Sequence, residues 1–230
     1  MSEQPPPSRQ LWRLALAELL GTGLLVAVVV GSGIAAQRLS PGDAGLELLE
    51  NALATALGLA AIILALQPVS GAHLNPVITL ADRLLGARLG ARAIAVYLVA
   101  QFAGAVGGAV LANAMFGVPT TVSGRDRLAP GGLLAEAVAT AGLVLLVFAL
   151  VRTGRAALAA PAVGAYIGAA YWFTSSTSFA NPAVTAGRML SDTFAGIAPL
   201  SALAFVGAQL VGGAIGAALV LALLPRKDLP

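Results

Sequence analysis

The stretch SFANPAVTAGR, residues 178–188, places an Asn-Pro pair inside a strongly apolar chain. Asn is a preferred N-cap and Pro fits the first helical position, so Asn181 and Pro182 predict a helix start. A similar stretch, SGAHLNPVITL, occupies residues 70–80 and repeats the same pair. The sequence therefore starts a short helix twice at places where a continuous membrane helix would not be interrupted.

The composition indicates an integral membrane protein. Of the 230 residues, 58% are hydrophobic and 10% are charged, and the mean hydropathy is +0.90, whereas a soluble domain carries about 25% charged residues. The basic residues are scattered singly between apolar runs, which favours anchoring of cytoplasmic loops over nucleic-acid binding. The chain has no cysteine and no cluster of metal-ligating residues, so no disulfide, metal or cofactor is expected.

Six apolar runs are long enough to cross about 30 Å of hydrocarbon. They are predicted at about residues 14–35, 47–66, 93–116, 131–151, 158–174 and 199–224. The first run is interpreted as a retained helix, because no small-residue cleavage site follows it. Two shorter apolar pieces, residues 76–85 and 182–190, cover only half of a membrane, since ten helical residues span about 15 Å.

The second half of the chain repeats the first. Repeat one covers about residues 11–117 and repeat two about 131–224, within a single domain at 11–224 that is flanked by tails at 1–10 and 225–230. The matching positions are Glu18 and Glu136, Thr22 and Thr140, Ser70 and Ser176, Thr79 and Thr185, and Gln101 and Gln209. Because each repeat contains three full spans, an odd number, the second copy enters the membrane from the opposite side. The sequence therefore predicts an all-α membrane protein with six transmembrane helices and two re-entrant half-helices in an inverted repeat.

The distribution of basic residues predicts the orientation. If both termini are cytoplasmic, the cytoplasmic side carries Arg9, Arg13, Arg83, Arg88, Arg92, Arg152, Arg155, Arg226 and Lys227. The opposite side carries Arg38, Arg125, Arg127 and Arg188. This excess on the inner side is the one that membrane proteins show.

The two half-helices predict a pore. Irregular backbone at membrane depth survives only where protein or a water-filled cavity satisfies its polar groups. The inverted repeat brings the two helix N-termini together near the midplane, where each contributes about +0.5 charge. This charge disfavours cations and protons, while the amides of Asn75 and Asn181 can donate hydrogen bonds to a passing oxygen.

On these motifs the chain resembles the aquaporin, or major intrinsic protein, family over about residues 11–224. The resemblance rests on two boxes in the same inverted repeat, Asn75-Pro76-Val77 and Asn181-Pro182-Ala183. It implies a right-handed bundle with one pore per protomer, a homotetramer in the lipid bilayer, and a passive channel for small uncharged solutes rather than an enzyme. Val77 replaces the usual alanine of the first box and is expected to narrow the pore locally.

The resemblance also implies that Glu18 and Glu136 are buried acids that accept backbone N–H groups of the two broken loops. His73, the only histidine, is expected to hold the first loop by hydrogen bonds, with a titrating gate as the alternative. Gln101 and Gln209, with the glycines that follow them, are interpreted as positions of helix packing.

The family usually carries an arginine directly after the second box, and this chain has Val184. Counting from the boxes assigns the other three positions of the outer constriction to Thr55, Ala169 and Ser178. All four side chains are uncharged and small, which predicts a wider pore that admits solutes larger than water. For Arg188, four residues further on the same helix face, we expect a solvated side chain or a pair with Asp192; the alternative is a side chain that lines the lumen.

The pattern of the second box also resembles a bacterial branch of the family that is associated with arsenic-resistance gene clusters. That resemblance implies neutral metalloid hydroxides, such as arsenite, and small polyols as solutes, and a bacterial inner membrane as the location. A proton- or ion-coupled secondary transporter remains the alternative, since such proteins also use inverted repeats and broken helices. A membrane enzyme is disfavoured because no catalytic set, metal cluster or phosphate loop is evident in the sequence.

Overall fold

The computed structural model describes residues 8–86 and 89–224, and this part of the chain contains six long helices and two short ones. The long helices are α1 (Ser8–Leu39), α2 (Ala44–Ser70), α4 (Ala91–Phe116), α5 (Pro130–Arg152), α6 (Ala159–Phe173) and α8 (Pro199–Leu223). The short helices are α3 (Pro76–Leu84) and α7 (Pro182–Arg188), and a single 3-10 turn, Ala156–Leu158, precedes α6. The predicted fold class is confirmed, because six helical segments are long and apolar enough to cross a membrane. The fifth of these segments, Ala156–Phe173, consists of the 3-10 turn together with α6.

The helix boundaries differ from the sequence prediction mainly at the ends of the spans. Helix α1 begins at Ser8 and ends at Leu39, so it extends beyond the apolar run at residues 14–35 and includes the last residues of the predicted N-terminal tail. The apolar run marks only the part that lies in hydrocarbon, whereas the helix continues into its polar flanks. The rest of that tail, Arg88, and the predicted C-terminal tail at 225–230 lie outside the described residues.

Both half-helices start at the predicted Asn-Pro pairs. Asn75 has extended backbone, with φ −155°, and its side chain accepts a hydrogen bond from the N–H of Val77. Asn181 has φ −156° and accepts from the N–H groups of Ala183 and Val184. In each case the proline occupies the first turn, where its missing N–H costs nothing.

Glycines allow the long helices to pack closely within each repeat. Helix α1 packs along α4, and α5 along α8. A Cβ atom at Gly104 would overlap the carbonyl oxygen of Leu19, and one at Gly212 would overlap that of Ala137. Lipid provides no hydrophobic drive for helix association, so such close backbone contact is a main source of packing energy.

A buried carboxylate organises the first broken loop. The Glu18 Oε1 atom accepts hydrogen bonds from the His73 N–H (3.0 Å) and from the Ser70 hydroxyl (2.7 Å). Its Oε2 atom accepts from the Leu74 N–H (2.7 Å) and from the Gln101 amide (2.8 Å). Glu18 is fully buried, and its two oxygens thus have four donors.

The second broken loop has the same arrangement around Glu136, which is also fully buried. The Oε1 atom accepts from the Phe179 N–H (2.8 Å) and the Ser176 hydroxyl (2.6 Å). The Oε2 atom accepts from the Ala180 N–H (2.8 Å) and the Gln209 amide (2.6 Å). The role of Gln101 and Gln209 is therefore not limited to helix packing. Their amides hydrogen-bond the two carboxylates, Gln101 from α4 and Gln209 from α8.

The carboxylates hold backbone that is unfavourable for L-residues. Ala72 and Leu74 have φ of 48° and 52°, and the matching Ser178 and Ala180 have φ of 48° and 46°. A non-glycine residue in this region costs about 1–3 kcal/mol and persists only where its surroundings enforce it. The N–H groups of Leu74 and Ala180 are among those bound by the two acids, so the acids stabilise the strained turns.

We expect Gly108→Val to destabilise the protein. A Cβ atom at Gly108 would overlap the carbonyl oxygen of Gly23, and overpacking of a tight helix contact costs about 1–3 kcal/mol. The matched control is Gly107→Val on the same helix, because no atom lies within 4 Å of a Cβ placed there. Thermal unfolding in detergent should show a lowered midpoint for the first variant only, and equal midpoints would contradict the packing argument.

We expect Glu18→Ala and Glu136→Ala to disrupt their loops. Each change leaves two backbone N–H groups unpaired in a buried region, at a cost of about 1–3 kcal/mol per group. The control is Glu50→Ala, since Glu50 accepts a hydrogen bond from Ser40 and binds neither broken loop. Folded yield and unfolding midpoint should fall in both test variants, whereas wild-type values in both would show that the acids do not anchor the loops.

Candidate pore

A cavity of about 330 Å³ extends along the centre of the bundle and touches the starts of both half-helices. On α2 it is lined by Thr55, Leu59, Ile63 and Gln67, and on α6 by Ala159, Val163, Ile167 and Tyr171. Each set follows every fourth residue, so one face of each helix lines the cavity. Since the first and last residues of each set are twelve residues apart, the cavity spans about 18 Å along the helices.

Both box asparagines line this cavity. The Asn75 amide donates to the carbonyl oxygen of Ala180 (2.8 Å), and the Asn181 amide donates to that of Leu74 (2.7 Å). The two loops are therefore tied to each other by reciprocal hydrogen bonds. An amide group has two N–H donors, so each asparagine keeps one for a molecule in the cavity.

The remaining box residues are buried but do not line the cavity. Pro76, Pro182 and Ala183 lie at the half-helix starts. The Val77 side chain packs against α8, where its Cγ1 atom fills the space above Gly213. The expectation that Val77 narrows the pore was therefore wrong, because its side chain points to a neighbouring helix.

Three of the four residues predicted for the outer constriction line the cavity: Thr55, Ser178 and Val184. Ala169 does not line it and is exposed on the outer surface of the bundle. The assignment was wrong because the lining face of α6 runs through Ile167 and Tyr171, and Ala169 lies between them on another face. Tyr171, instead of Ala169, lines the cavity at this end of α6, and its hydroxyl lies 3.2 Å from the Thr55 hydroxyl.

Arg188 also contradicts the favoured expectation. It is neither solvated nor paired with Asp192, since only 2% of its surface is exposed. Its guanidinium lies 3.4 Å from the centroid of the Phe179 ring, its Nε–H donates to the carbonyl oxygen of Ala195, and it lines the cavity. Asp192 instead accepts hydrogen bonds from the Ser123 hydroxyl and the Gly124 N–H.

Two loops cover the outer end of α7 and explain the burial of Arg188. The loop at residues 117–129 binds the loop at 189–198 through the Ser123 N–H, which donates to Met189, and the Ala198 N–H, which donates to Arg125. Arg127 donates to the carbonyl oxygens of Phe194 and Gly196, both at 2.7 Å. The prediction assumed that the chain reaches water directly after α7, because no motif in the sequence indicates that these two loops cover the helix end.

Arg127 adds a second guanidinium near the same aromatic ring. Its Cζ atom lies 5.4 Å from the centroid of the Phe179 ring. Burial, followed by repulsion from Arg188 and Arg125, lowers the pKa of Arg127 to about 9. Two guanidinium groups thus lie near the Phe179 ring, and of these Arg188 lines the cavity and Arg127 does not.

His73 lies between the first broken loop and the helices α3 and α4. Its Nδ1 atom lies 3.2 Å from the Thr79 hydroxyl, and its ring makes an edge contact with Tyr97. Its Nε2 atom lies 3.8 Å from Asp82, and both His73 and Asp82 line the cavity. Sequence reasoning missed Asp82, although an acid within a short membrane helix is itself a sign of function.

Comparison with known proteins agrees with this geometry. The model of the major intrinsic protein family matches residues 7–180. The aquaglyceroporin AqpS of Rhizobium meliloti (strain 1021) is 48% identical over 211 residues, which cover 91% of this chain and 89% of that protein. The lens fiber major intrinsic protein of Gallus gallus is 38% identical over 151 residues, which cover 62% of this chain and 54% of that protein.

A solved structure shows the same fold. The aquaglyceroporin from Plasmodium falciparum superposes with a TM-score of 0.70 at 21% identity, over 91% of this chain and 95% of that chain. The family match, the extensive identity to a bacterial relative and the paired half-helices around one cavity all agree. The chain belongs to the major intrinsic protein, or aquaporin, family, whose members are passive channels for water and small solutes and not enzymes.

Proposed function

We propose that this channel carries small polyols and neutral metalloid hydroxides, such as arsenite, in addition to water. The observation that carries the proposal is Val184, which lies in the cavity at the first turn of α7. An uncharged side chain of modest size at this point leaves room for a solute larger than water. The bacterial relative of similar length is named an aquaglyceroporin, which supports the same range of solutes.

The polar groups around Val184 suit solutes with hydroxyl groups. Thr55, Tyr171 and Ser178 line the same cavity as Val184, and the Ser178 hydroxyl has no hydrogen-bond partner among residues 8–86 and 89–224. Further inward, the free amide donors of Asn75 and Asn181 face the cavity. A neutral hydroxylated solute can exchange its water for these groups, whereas an ion loses much more hydration energy than they return.

A coupled transporter is the second candidate, and the described residues favour it less. Coupling needs titratable groups on the path, and the ionisable residues that line the cavity in the described part of the chain are His73, Asp82, Tyr171 and Arg188. Glu18 and Glu136 are already bound by four donors each in their loops. Uptake of glycerol against its gradient, driven by protons, would favour the transporter.

The proposed setting is a homotetramer in a bacterial inner membrane with both termini in the cytoplasm. Six crossings, an even number, put both termini on the same side. The basic residues on that side whose side chains are described are Arg13, Arg83, Arg92, Arg152 and Arg155. Their excess over the four on the opposite side supports the cytoplasmic assignment. Arg88, Arg226 and Lys227 are outside the described residues.

Swelling and shrinking of proteoliposomes tests the proposed solutes. Vesicles with the purified protein should equilibrate water, glycerol and arsenite faster than empty vesicles, as measured by stopped-flow light scattering. Equilibration of water alone would contradict the proposed solute range. The passive nature of transport is checked in the same vesicles, because the rate should not depend on an imposed proton gradient.

We expect Val184→Arg to restrict the pore to water. The larger side chain fills space at the constriction and adds a charge next to Arg188, so glycerol should lose permeability by about tenfold or more, which is about 1.4 kcal/mol in the barrier. Water should lose much less. The control is Val184→Met, which adds length without charge and separates the effect of size from that of charge. Equal losses for water and glycerol in Val184→Arg would contradict the assignment of Val184 to the constriction.

A further inference from the structure

Arg188 is a buried cation that makes no ion pair within the described part of the chain. No carboxylate lies within ion-pair distance of it in residues 8–86 and 89–224. Asp192 is occupied by Ser123 and Gly124, and the oxygens of Glu136 are occupied by their four donors. Burial of a charged side chain without an ion pair inside a membrane protein costs free energy, and such a residue by default indicates a function.

The contacts of Arg188 leave its polar edge free for the lumen. The Phe179 ring covers one face of the guanidinium, and Nε donates to Ala195. The terminal nitrogens have no hydrogen-bond partner in the described part of the chain, yet they are not shut off from the cavity that Arg188 lines. The structure thus fixes the plane of the guanidinium and directs a positive charge into the path of the solute.

The inverted repeat places an acid at the equivalent position of the other half. Asn181 follows Asn75 by 106 residues, and the same offset relates Arg188 to Asp82. It also relates Phe179, which stacks on Arg188, to His73, which lies next to Asp82. Both Asp82 and Arg188 line the cavity, each at the end of its half-helix that is remote from the Asn-Pro pair.

The negative charge of Asp82 is opposite in sign to that of the other charged groups along the lumen. Two helix N-termini, each of about +0.5 charge, meet at the centre, and Arg188 adds a full positive charge further out. These groups repel cations and attract anions. Asp82 is the acid among the described residues that line the cavity, and its nearest charged or titratable neighbour is His73, at 3.8 Å.

We propose that Asp82 and Arg188 together restrict this lumen to neutral solutes, with Arg188 repelling cations at the outer end and Asp82 repelling anions at the inner end. The pair acts in series, because an ion of either sign must pass both charges. A neutral solute with hydroxyl groups experiences no such barrier and can accept hydrogen bonds from Arg188. The inference rests on the proposed passage of small neutral solutes through this cavity.

The test measures ion leak and neutral flux in the same proteoliposomes. Arg188→Gln should raise potassium permeability, and Asp82→Asn should raise nitrate permeability, each by at least about tenfold, since a unit charge about 6 Å from the path has an effect of that size or larger at an effective dielectric constant of about 20. Arg188→Lys and Asp82→Glu keep the charges and should keep both ion leaks low. Water and glycerol fluxes are measured in every variant, so that each change in ion leak is compared with the flux of neutral solutes through the same pore.

Two matched controls separate the lumen from the surrounding surface. Arg125→Gln removes an outer charge and Arg83→Gln an inner one, and both side chains are exposed and do not line the cavity. Ion leak in these controls should equal that of the wild type. A rise in a control as large as in the test variants would overturn the proposal, because it would assign the effect to the general surface charge.

Further outcomes overturn the proposal without affecting the proposed solutes. The first is an ion leak that stays at the wild-type value in both Arg188→Gln and Asp82→Asn while water flux is intact. The second is an ion leak that rises in only one of these two variants. The third is a rise of equal size for potassium and nitrate. If Arg188→Gln does not assemble, Asp82→Asn decides, because Asp82 is partly exposed and anchors no loop. Absence of glycerol flux in the wild type refutes the proposed solute range, and the ion measurements still stand by themselves.

Discussion

Each broken loop of this fold depends on one buried carboxylate, because a backbone N–H inside a membrane has no water to bond. Glu18 and Glu136 each bind two consecutive backbone N–H groups of a loop that has left the helical pattern. In doing so they also stabilise residues with positive φ, which L-residues rarely adopt. Without this acceptor, neither half-helix could start at the centre of the bundle, and the cavity would have no polar lining there.

The two halves then stabilise each other through their asparagines. Each amide donates one hydrogen bond to a carbonyl group of the opposite loop, so the position of one half-helix start sets that of the other. The oxygen of each asparagine side chain caps its own half-helix, which leaves a single free N–H donor on each amide. The polar donors at the centre of the cavity are therefore a consequence of the hydrogen bonds that join the two loops.

The sequence could predict those features whose cause is local. Asn-Pro pairs start helices wherever they occur, and acids at matching places in two apolar spans need buried donors, so the half-helices and the role of Glu18 and Glu136 followed from residue chemistry and the family resemblance. The features that were predicted wrongly depend on packing between distant segments. Val77 points to Gly213 of α8, and Arg188 is buried by two loops that fold over it. The wrong assignment of Ala169 has another cause. It was made by counting residues back from the second Asn-Pro box across a loop, and such a count does not determine which face of α6 lines the cavity.

Pairs of identical residues in the two halves hold the broken loops, whereas several pairs that line the cavity differ between the halves. The positions that are identical in both halves form the loop networks: Glu18 and Glu136, Ser70 and Ser176, Thr79 and Thr185, and Gln101 and Gln209. Their hydrogen-bond geometry must be reproduced twice, which leaves little freedom in residue type. The lining positions also form pairs, each with the 106-residue offset that relates Asn75 to Asn181, yet the two members of a pair differ in size, polarity or charge. These pairs are Ile78 and Val184, His73 and Phe179, and Asp82 and Arg188. These side chains face the lumen, so the frame does not constrain them to match. A symmetric backbone can therefore carry an asymmetric pore, with an acid at one end and a base at the other.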